Sequence, residues 1–381
     1  MSVSIQLTVG GTPVPDGFYD AILELEVEEN ADGPGTLRVR LPANRTSLGD
    51  LQFVGDGTFE PMTSVAFTLT HGTSRYCVFD GYVLSWRLHV ARASTSSAID
   101  IWAQDASWLM NLDDKVAEWT GLTDGQVADA IFASYGFIPA PGNTADDSPS
   151  HLPAGHTLVQ RATDLQFLRR LARRNGKLLR VGCTVLPGVR TGYFASPAVS
   201  GQPVATISLV DPDQWTVETL DFDWDVMRPT EATASQVDLT QPSPAGVTVA
   251  SVSSGLSQLD QRSYPEYAGR PAALLLAAPA DVAELEQRTR AVLAETGFFA
   301  RCTGEADVDR LGAVLRAGDV VMIAGAGNLQ SGKWLVWQVT HRFSLDGWMM
   351  RFTLVRNAIG PAAPGGTFAS LGSSPVPLGL L

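Results

Sequence analysis

Apolar and polar residues alternate along the first hundred positions, which is the pattern of strands with one buried face. The alternation is clearest in three runs, at 3–9, 23–27 and 37–41. The turn-forming segment Asn30-Ala-Asp-Gly-Pro-Gly35 separates the second run from the third, so these two runs are predicted to form a hairpin. In that hairpin a row of glutamates would face Arg38 and Arg40 and fix the strand register.

Strands and helices follow one another along the rest of the chain. Further strands are predicted at 65–70, 76–90 and 99–105, which makes the first domain a sheet closed or nearly closed on itself. The spacing then changes to that of helices, which are predicted at 123–136, from Thr163 or Asp164 to Gly176, and at 279–297. Later strands are predicted at 177–186, 205–210, 319–324, 333–343 and 348–355. The segment 360–381, rich in Gly, Pro and Ser, is predicted to be a tail.

Two distant parts of the chain share one order of strands and turns. The first part comprises 65–76, 82–86 and 99–106, and the second comprises 320–323, 327–334, 339–343 and 352–358. Each part runs strand, Gly/Ser turn, long strand, turn, strand. Any two β-meanders share some of this order, but the repeat predicts two similar β-modules in one chain.

Composition and charge narrow the class of protein. The chain has 381 residues, of which 45% are hydrophobic and 18% charged, so it is long enough for two to four folded domains and too apolar to be wholly disordered. The formal net charge is −13, and Lys115, Lys177 and Lys333 are the only lysines. This net negative charge would repel phosphate, so it disfavours stable nucleic-acid binding as the protein's function.

The cysteines and the hydropathy indicate where the protein is made. Cys77, Cys183 and Cys302 are odd in number and far apart, and no CxxC pair is present, so neither a disulfide framework nor a zinc finger is predicted. The start of the chain lacks the pattern of a signal peptide, and no apolar run is long enough to span a membrane. We therefore expect synthesis in the cytoplasm without membrane insertion.

Two motifs resemble ligand sites but are better explained as a turn and a loop. The segment 327–333 matches the start of a P-loop, but Trp334 stands where magnesium binding requires Ser or Thr, so a hairpin turn is predicted. The second motif is a set of metal-ligating residue types in one Pro- and Gly-rich loop, which lacks preorganised geometry and is predicted to be solvated. Its members are Asp146, Asp147, His151 and His156. No catalytic signature, cofactor site or metal site is predicted.

The second predicted helix is strongly basic on its outer face. Arg169, Arg170, Arg173 and Arg174 lie on it, with Arg161 just before its start. These arginines can form an ordinary solvated face, or they can bind phosphate or an acidic partner surface. Because the rest of the chain is acidic, a protein partner is the preferred functional interpretation, and the four helix arginines are the candidate docking residues.

Three motifs, the last of them spread over three segments, resemble the late control D family, which includes baseplate hub proteins of contractile phage tails and the hub portion of type VI secretion spike proteins. The segment 159–176 carries the family's Thr-Asp-x-x-Phe-Leu-x-Arg-Leu-Ala helix. Phe79-Asp-Gly-Tyr-Val83 resembles the family's Phe-x-Gly-x-Val strand. The segments 315–323, 331–343 and 351–357 resemble its C-terminal strands and Arg-Asn ending. The three occur in the family's order.

The resemblance implies an α+β, mainly β fold with two tube-protein-like barrels and α/β insertions, assembled as a homotrimer. The expected domains are a first barrel at 1–107, an inserted domain at 108–225, a second barrel at 226–359 and the tail at 360–381. Three chains with two similar barrels each would match a sixfold tail tube on one side and a threefold spike on the other. Since the chain ends after the second barrel, a separate spike protein is expected, with the tail as a candidate tether.

Two other functions are also compatible with the sequence. A tail-associated cell-wall hydrolase or carbohydrate-binding module would show a cleft with convergent carboxylates or an exposed row of aromatic residues. A nucleic-acid contact through the basic helix would show binding that weakens steeply with salt.

Overall fold

The computed structural model describes residues 3–47, 49–55, 57–92, 97–152, 157–236, 247–251, 253–268, 273–277, 282–344 and 347–361. The predicted tail, apart from its first two residues, lies outside the described residues. The α+β, mainly β class predicted from the sequence is confirmed.

Strands form most of the regular structure. In chain order they are β1 (Val3–Val9), β2 (Thr12–Pro13), β3 (Glu24–Asn30), β4 (Thr36–Pro42), β5 (Ser64–His71), β6 (Ser74–His89), β7 (Ala98–Asp105), β8 (Asp114–Trp119), β9 (Ile138–Pro139), β10 (Leu158–Thr163), β11 (Leu178–Cys183), β12 (Arg190–Ala195), β13 (Thr206–Ser208), β14 (Thr219–Trp224), β15 (Glu231–Gln236), β16 (Val247–Ser251), β17 (Arg262–Ser263), β18 (Ala273–Ala277), β19 (Ala300–Asp307), β20 (Val320–Ala324), β21 (Gly332–Ser344), β22 (Gly347–Arg356) and β23 (Ala358–Ile359).

Helices are fewer and lie mainly in the inserted segments. They are α1 (Asp16–Tyr19), α2 (Asp124–Ser134), α3 (Asp164–Asn175), α4 (Tyr264–Ala268), α5 (Val282–Gly297), α6 (Val308–Leu311) and α7 (Gly327–Gln330). The three helices predicted from the sequence correspond to α2, α3 and α5. Short 3₁₀ turns follow β7 and precede β14.

One large sheet contains both predicted β-modules. Its first half runs β3-β4-β7-β6-β5-β1, and its second half runs β14-β19-β22-β21-β20-β13. Matched by position, the two halves have the same strand order, which confirms the repeat predicted from the sequence. The halves differ in the direction of the last strand, because β1 pairs antiparallel with β5 whereas β13 pairs parallel with β20. The short β2 extends the first half beyond β1.

The repeat extends to a matching irregularity within the strands. Against its neighbour β7, strand β6 has a bulge between Val83 and Ser85. Against its neighbour β22, strand β21 has a bulge between Val336 and Gln338. Since a bulge shifts every later residue to the opposite face, two bulges at the same place preserve the same inward and outward pattern in both modules.

The predicted hairpin between β3 and β4 is confirmed, with Glu26 directly opposite Arg38 and Glu24 opposite Arg40. The intervening apolar residues of these strands, such as Leu25 and Val39, are fully buried. They join a core that also includes apolar residues of β19, β21 and β22. The two modules therefore share one hydrophobic core as well as one sheet.

The first insertion carries small sheets and two helices on a separate core. β10 pairs with β8, and β11, β12 and β9 form a second sheet. The helices α2 and α3 pack on these sheets through buried apolar residues, among them Phe132, Leu168 and Phe194. β13 and β14 lie within the predicted 108–225 domain, yet they pair with strands of the second module.

The second insertion lies between β14 and β19. β15 pairs with β16 and β18, and α5 packs against this sheet and against α3.

In the second module, the P-loop-like segment forms the short α7 between two antiparallel strands, with Lys333 inside β21. A P-loop would require a longer helix after a strand, so this geometry does not fit phosphate binding.

Candidate assembly interface

The basic helix α3 begins and ends where the sequence predicts. The Thr163 hydroxyl accepts a hydrogen bond from the Gln166 N–H, and Gly176 ends the helix in the left-handed conformation with φ of 64°. The apolar residues of the helix, including Leu168 and Leu171, are buried. Arg173 lies in the last turn, where a cation is favourable to the helix dipole.

The four candidate docking arginines do not share one environment. Arg169, Arg170 and Arg173 are exposed. Arg174 is engaged inside the protein, because its Nη2 donates to Asp124 Oδ2 at 2.6 Å and its Nη1 lies 3.5 Å from Glu284 Oε1. Arg174 therefore ties α3 to α2 and α5. Docking through the other three arginines stays a prediction.

The loop predicted to be solvated is instead packed against the start of α2, which corrects that prediction. His151 is 6% exposed, and its Nε2 lies 2.8 Å from a carboxylate oxygen of the fully buried Asp124. Burial alone would raise the pKa of Asp124, but hydrogen bonds from His151, Arg174 and Asn175 together with the Arg174 charge lower it to about 2. Within the described residues, which exclude His156, no group of metal-ligating side chains is present.

The expectation of no disulfide is wrong, because Cys77 of β6 and Cys183 of β11 form one across 106 residues of sequence. Their Cα atoms lie 5.5 Å apart. The bond ties the first insertion to the first module. Cysteine spacing could not reveal it, since only the folded chain brings the two strands together.

A buried ion pair lies beside this disulfide. The Arg316 Nε donates to both carboxylate oxygens of Glu29, at 2.8 and 2.7 Å. Its Nη2 donates to the carbonyl oxygens of Cys77 and Cys183, at 2.9 and 3.2 Å. Burial alone lowers the pKa of Arg316, but the Glu29 carboxylate outweighs burial and raises it. One guanidinium thus connects the first module, the second module and the first insertion.

The two modules join at a seam in which β21 pairs antiparallel with β3. In this register, His341 lies opposite Val27 and Arg342 lies opposite Glu26. The inward residues of the seam are buried, and both Val27 and His341 are 0% exposed. On the outward face, the Arg342 Nε donates to Glu24 Oε1 at 2.6 Å. The seam thus combines a buried inner face with Arg342 of β21 and carboxylates of β3 on its outer face.

A cleft of about 500 Å³ lies where α3, α5 and β14 meet. Its lining combines aromatic and charged residues, including Arg173, Trp224 and Trp337. Asp225, also in the lining, accepts a hydrogen bond of 2.9 Å from Arg228, which lowers the pKa of that carboxyl. A general acid of a glycoside hydrolase requires a raised pKa, so the direction at Asp225 is opposite to that requirement.

In the described part of the chain, no helix is both long and apolar enough to cross a membrane.

A family model for the phage tail baseplate hub (GPD) matches residues 60–347. Among solved structures, the chain is similar to a tail protein from Neisseria meningitidis MC58, with 14% identity, a TM-score of 0.63, and coverage of 94% of this chain and 98% of that one. It is similar to the 43 kDa tail protein of prophage MuSo2 from Shewanella oneidensis, with 15% identity, a TM-score of 0.63, and coverage of 94% and 100%. A type VI secretion system component from E. coli matches with 13% identity, a TM-score of 0.53, and coverage of 95% and 80%. No curated protein sequence matched the chain.

Proposed function

The chain belongs to the phage tail baseplate hub family, and on that premise we propose that it assembles as a homotrimer that adapts a sixfold tail tube to a threefold central spike. Its role is structural, within the baseplate of a phage tail or a related injection system. The mechanism is docking between proteins. The partners are a ring of tail tube protein on one face and a spike protein on the other.

The observation that carries the proposal is the repeated strand order within one continuous sheet. A single chain supplies two modules whose strands have the same order and whose bulges fall at the same place. Three such chains around an axis would present six similar modules, while the insertions would repeat three times. This combination matches a sixfold partner and a threefold partner with one kind of subunit.

The solved structures support the spike side of the proposal. The E. coli type VI component is described as structurally similar to the bacteriophage T4 tail proteins gp27 and gp5. A Francisella complex of PdpA and VgrG also matches, with 10% identity and a TM-score of 0.53. By analogy, we expect this chain to contact a spike at the face that carries its insertions, where the exposed Arg169, Arg170 and Arg173 are available.

The mass of the purified full-length protein tests the proposal directly. We expect native mass spectrometry to give three times the subunit mass of 40.6 kDa, and negative-stain images to show rings with threefold symmetry and a central channel. A stable dimer, or a chain that stays monomeric at every accessible concentration, would contradict the symmetry-adaptor role. Turnover of peptidoglycan by the same preparation would favour the hydrolase alternative instead.

A further inference from the structure

The disulfide between Cys77 and Cys183 joins two parts of the chain that other contacts already hold together. The pairing of β6 with β7 begins only at Gly81. Ahead of that point, the Cys77 N–H donates to the carbonyl oxygen of Thr184, just after β11, at 3.0 Å. The backbone of the first insertion therefore lies alongside β6 through a contact that does not involve sulfur.

Side chains add three contacts between the same two parts. Asp80 of β6 accepts hydrogen bonds from the Gly188 N–H at 2.5 Å and from Arg190 Nη2 at 2.7 Å. Arg190 Nη1 also donates to the Tyr82 hydroxyl at 2.9 Å. Asp80 is 7% exposed, so this ion pair is little screened by salt. The β11–β12 hairpin is thus positioned on β6 by contacts that are the same in either oxidation state of the cysteines.

Arg316 holds the two cysteines by their backbone. Its Nη2 donates to the carbonyl oxygens of both Cys77 and Cys183, while its Nε binds the carboxylate of Glu29. A single cation bound to both carbonyls keeps the two backbones close together. Their Cα atoms lie 5.5 Å apart, within the range that a disulfide requires. The surrounding protein therefore sets the distance for the bond.

The site also fits the two cysteines as thiols. Cys77 Sγ lies 3.5 Å from the Phe79 carbonyl oxygen, an acceptor that a thiol S–H can use and that a disulfide, which has no proton, cannot. Both cysteines are buried, at 0% and 5% exposed, and a buried thiol behaves as a small apolar side chain. The reduced pair therefore fits the same backbone as the bonded pair.

The surroundings of Cys183 limit which molecules reach the sulfur atoms. A void of about 20 Å³ lies beside this residue and is also lined by Glu29 and Asp80. A void of that size holds about one water molecule. Hydrogen peroxide is only slightly larger than water, whereas glutathione is a tripeptide. A small peroxide can therefore oxidise the folded chain, but reduction by a large thiol requires the hairpin to open.

We infer that Cys77 and Cys183 form a redox-controlled lock: the chain folds with both residues as thiols, and a small peroxide then closes the bond and fixes the first insertion to the first module. The Cys183 sulfur attacks one oxygen of hydrogen peroxide, so that an S–O bond forms, the O–O bond breaks and one water leaves. The Cys77 sulfur then attacks the Cys183 sulfur, the S–S bond forms, and the hydroxyl leaves as a second water. The two thiol protons leave in these waters. The lock lies within one copy of the chain, so it does not depend on the proposed trimer.

Cys302 is an internal reference for the oxidation. It is fully buried on β19, and burial together with the charges of Asp221 and Asp223 raises its thiol pKa to about 12. Because the thiolate is the reactive form, this residue should stay a thiol under mild oxidation. Of the three cysteines in the chain, we therefore expect all three to be free in the open form and Cys302 alone in the locked form.

Thiol counting on the full-length protein tests whether the lock closes after folding. Protein kept under a phosphine reductant from lysis onward is freed of reductant, treated with hydrogen peroxide, denatured and labelled with N-ethylmaleimide for intact-mass measurement. We expect three labels before peroxide and one after it, and peptide mapping should place the bond between Cys77 and Cys183. Circular dichroism and sedimentation velocity should give the same fold and the same sedimentation coefficient for both forms.

Thermal unfolding measures the effect of the lock. Because the bond spans 106 residues of sequence, peroxide should raise the melting temperature of the wild type by about 3–8 °C. The Cys77→Ala, Cys183→Ala double variant should fold and sediment like the reduced wild type and show no such rise. The matched control is Cys302→Ala, whose rise with peroxide should equal that of the wild type.

Reduction of the closed bond tests the access that burial allows. We expect glutathione to reduce the oxidised native protein at least about a hundredfold more slowly than the same protein in urea, since the native bond is reached only through local opening. Equal rates in the two conditions would overturn the assignment of a shielded lock.

The remaining outcomes also separate support from refutation. A reduced wild type that is unfolded or aggregated overturns the lock, because the bond would then be required for folding. A single label in protein kept under reductant throughout overturns the order of folding and closure. Three labels after peroxide, or a sulfinic acid at Cys183 without a bond, overturn the closure step. Equal melting temperatures of the oxidised and reduced wild type overturn the locking effect. The subunit number of either form tests the proposed hub separately.

Discussion

Removing the Arg316 side chain should destabilise the protein more than any loss of a surface charge. Arg316 connects Glu29 of β3 with the carbonyl oxygens of Cys77 and Cys183, so three parts of the chain meet at its guanidinium. Its side chain is 18% exposed and that of Glu29 is 10% exposed. In the Arg316→Met variant, Glu29 would keep a carboxylate with one weak remaining contact, the Ala317 N–H at 3.4 Å.

The expected cost follows from the burial of that carboxylate. Breaking a buried ion pair by removing one partner typically costs about 3–5 kcal/mol, because the remaining charge loses both water and its counterion. Replacing both partners by neutral groups of similar size costs much less. We therefore expect Arg316→Met to lower the free energy of unfolding by about 3–5 kcal/mol, and the Arg316→Met, Glu29→Gln double variant to recover roughly half of that loss or more.

Urea unfolding followed by circular dichroism, at pH 7 and one fixed protein concentration, measures both variants against the wild type. Arg310→Met is the matched control, since Arg310 makes a 2.8 Å ion pair with Glu218 in which both side chains are about half exposed. Its loss should cost less than about 1 kcal/mol. A cost for Arg316→Met no greater than that for Arg310→Met, or a double variant less stable than the single one, would contradict this expectation.

Two further predictions concern pH and packing. Burial lowers the pKa of His341 to about 4, whereas histidine in the unfolded chain has a pKa near 6.5. The free energy of unfolding should therefore fall as the pH drops from 6.5 to 4. Urea unfolding across that range should show that His341→Leu removes a part of this pH dependence on the order of 3 kcal/mol. A Cβ atom at Gly81 would overlap the carbonyl oxygen of Gln104 on β7, whereas one at Gly17 would meet nothing within 4 Å. Gly81→Ala should therefore lower the melting temperature and reduce the free energy of unfolding by about 1–3 kcal/mol or more. Equal stability of Gly81→Ala and the control Gly17→Ala would contradict the close approach of the strands.

Features that depend on neighbouring residues could be predicted from the sequence. The alternation of glutamates with Leu25 and Val27 predicts β3 and its pairing with β4, because one buried face is enough to fix the register. The basic helix could be bounded closely, because Thr163 and Gly176 supply the cap and the stop. The repeated order of strands was visible because turn residues and apolar runs recur in the same sequence in both modules.

Features that depend on long-range contacts could not be predicted in the same way. Arg316 and Glu29 lie 287 positions apart, and no local pattern distinguishes this pair from the other charges of the chain. The same holds for His151, whose place beside Asp124 follows from how the loop folds over α2. The four arginines of α3 looked equivalent in the sequence, whereas tertiary contacts engage Arg174 and leave its three neighbours exposed.

The two kinds of junction between modules face different physical demands. The seam between β3 and β21 forms within one chain, so it carries no cost of association and can accommodate a buried pair such as Arg316 with Glu29 beside it. Trp86 at the end of β6 and Trp224 on β14 have no such strand on their outer side within the described residues, and they are 48% and 45% exposed. In the proposed ring, covalently continuous seams alternate with contacts between copies. Since the seams and the contacts between copies differ in their side chains, such a ring has exact threefold symmetry, while the arrangement of its strands is approximately sixfold.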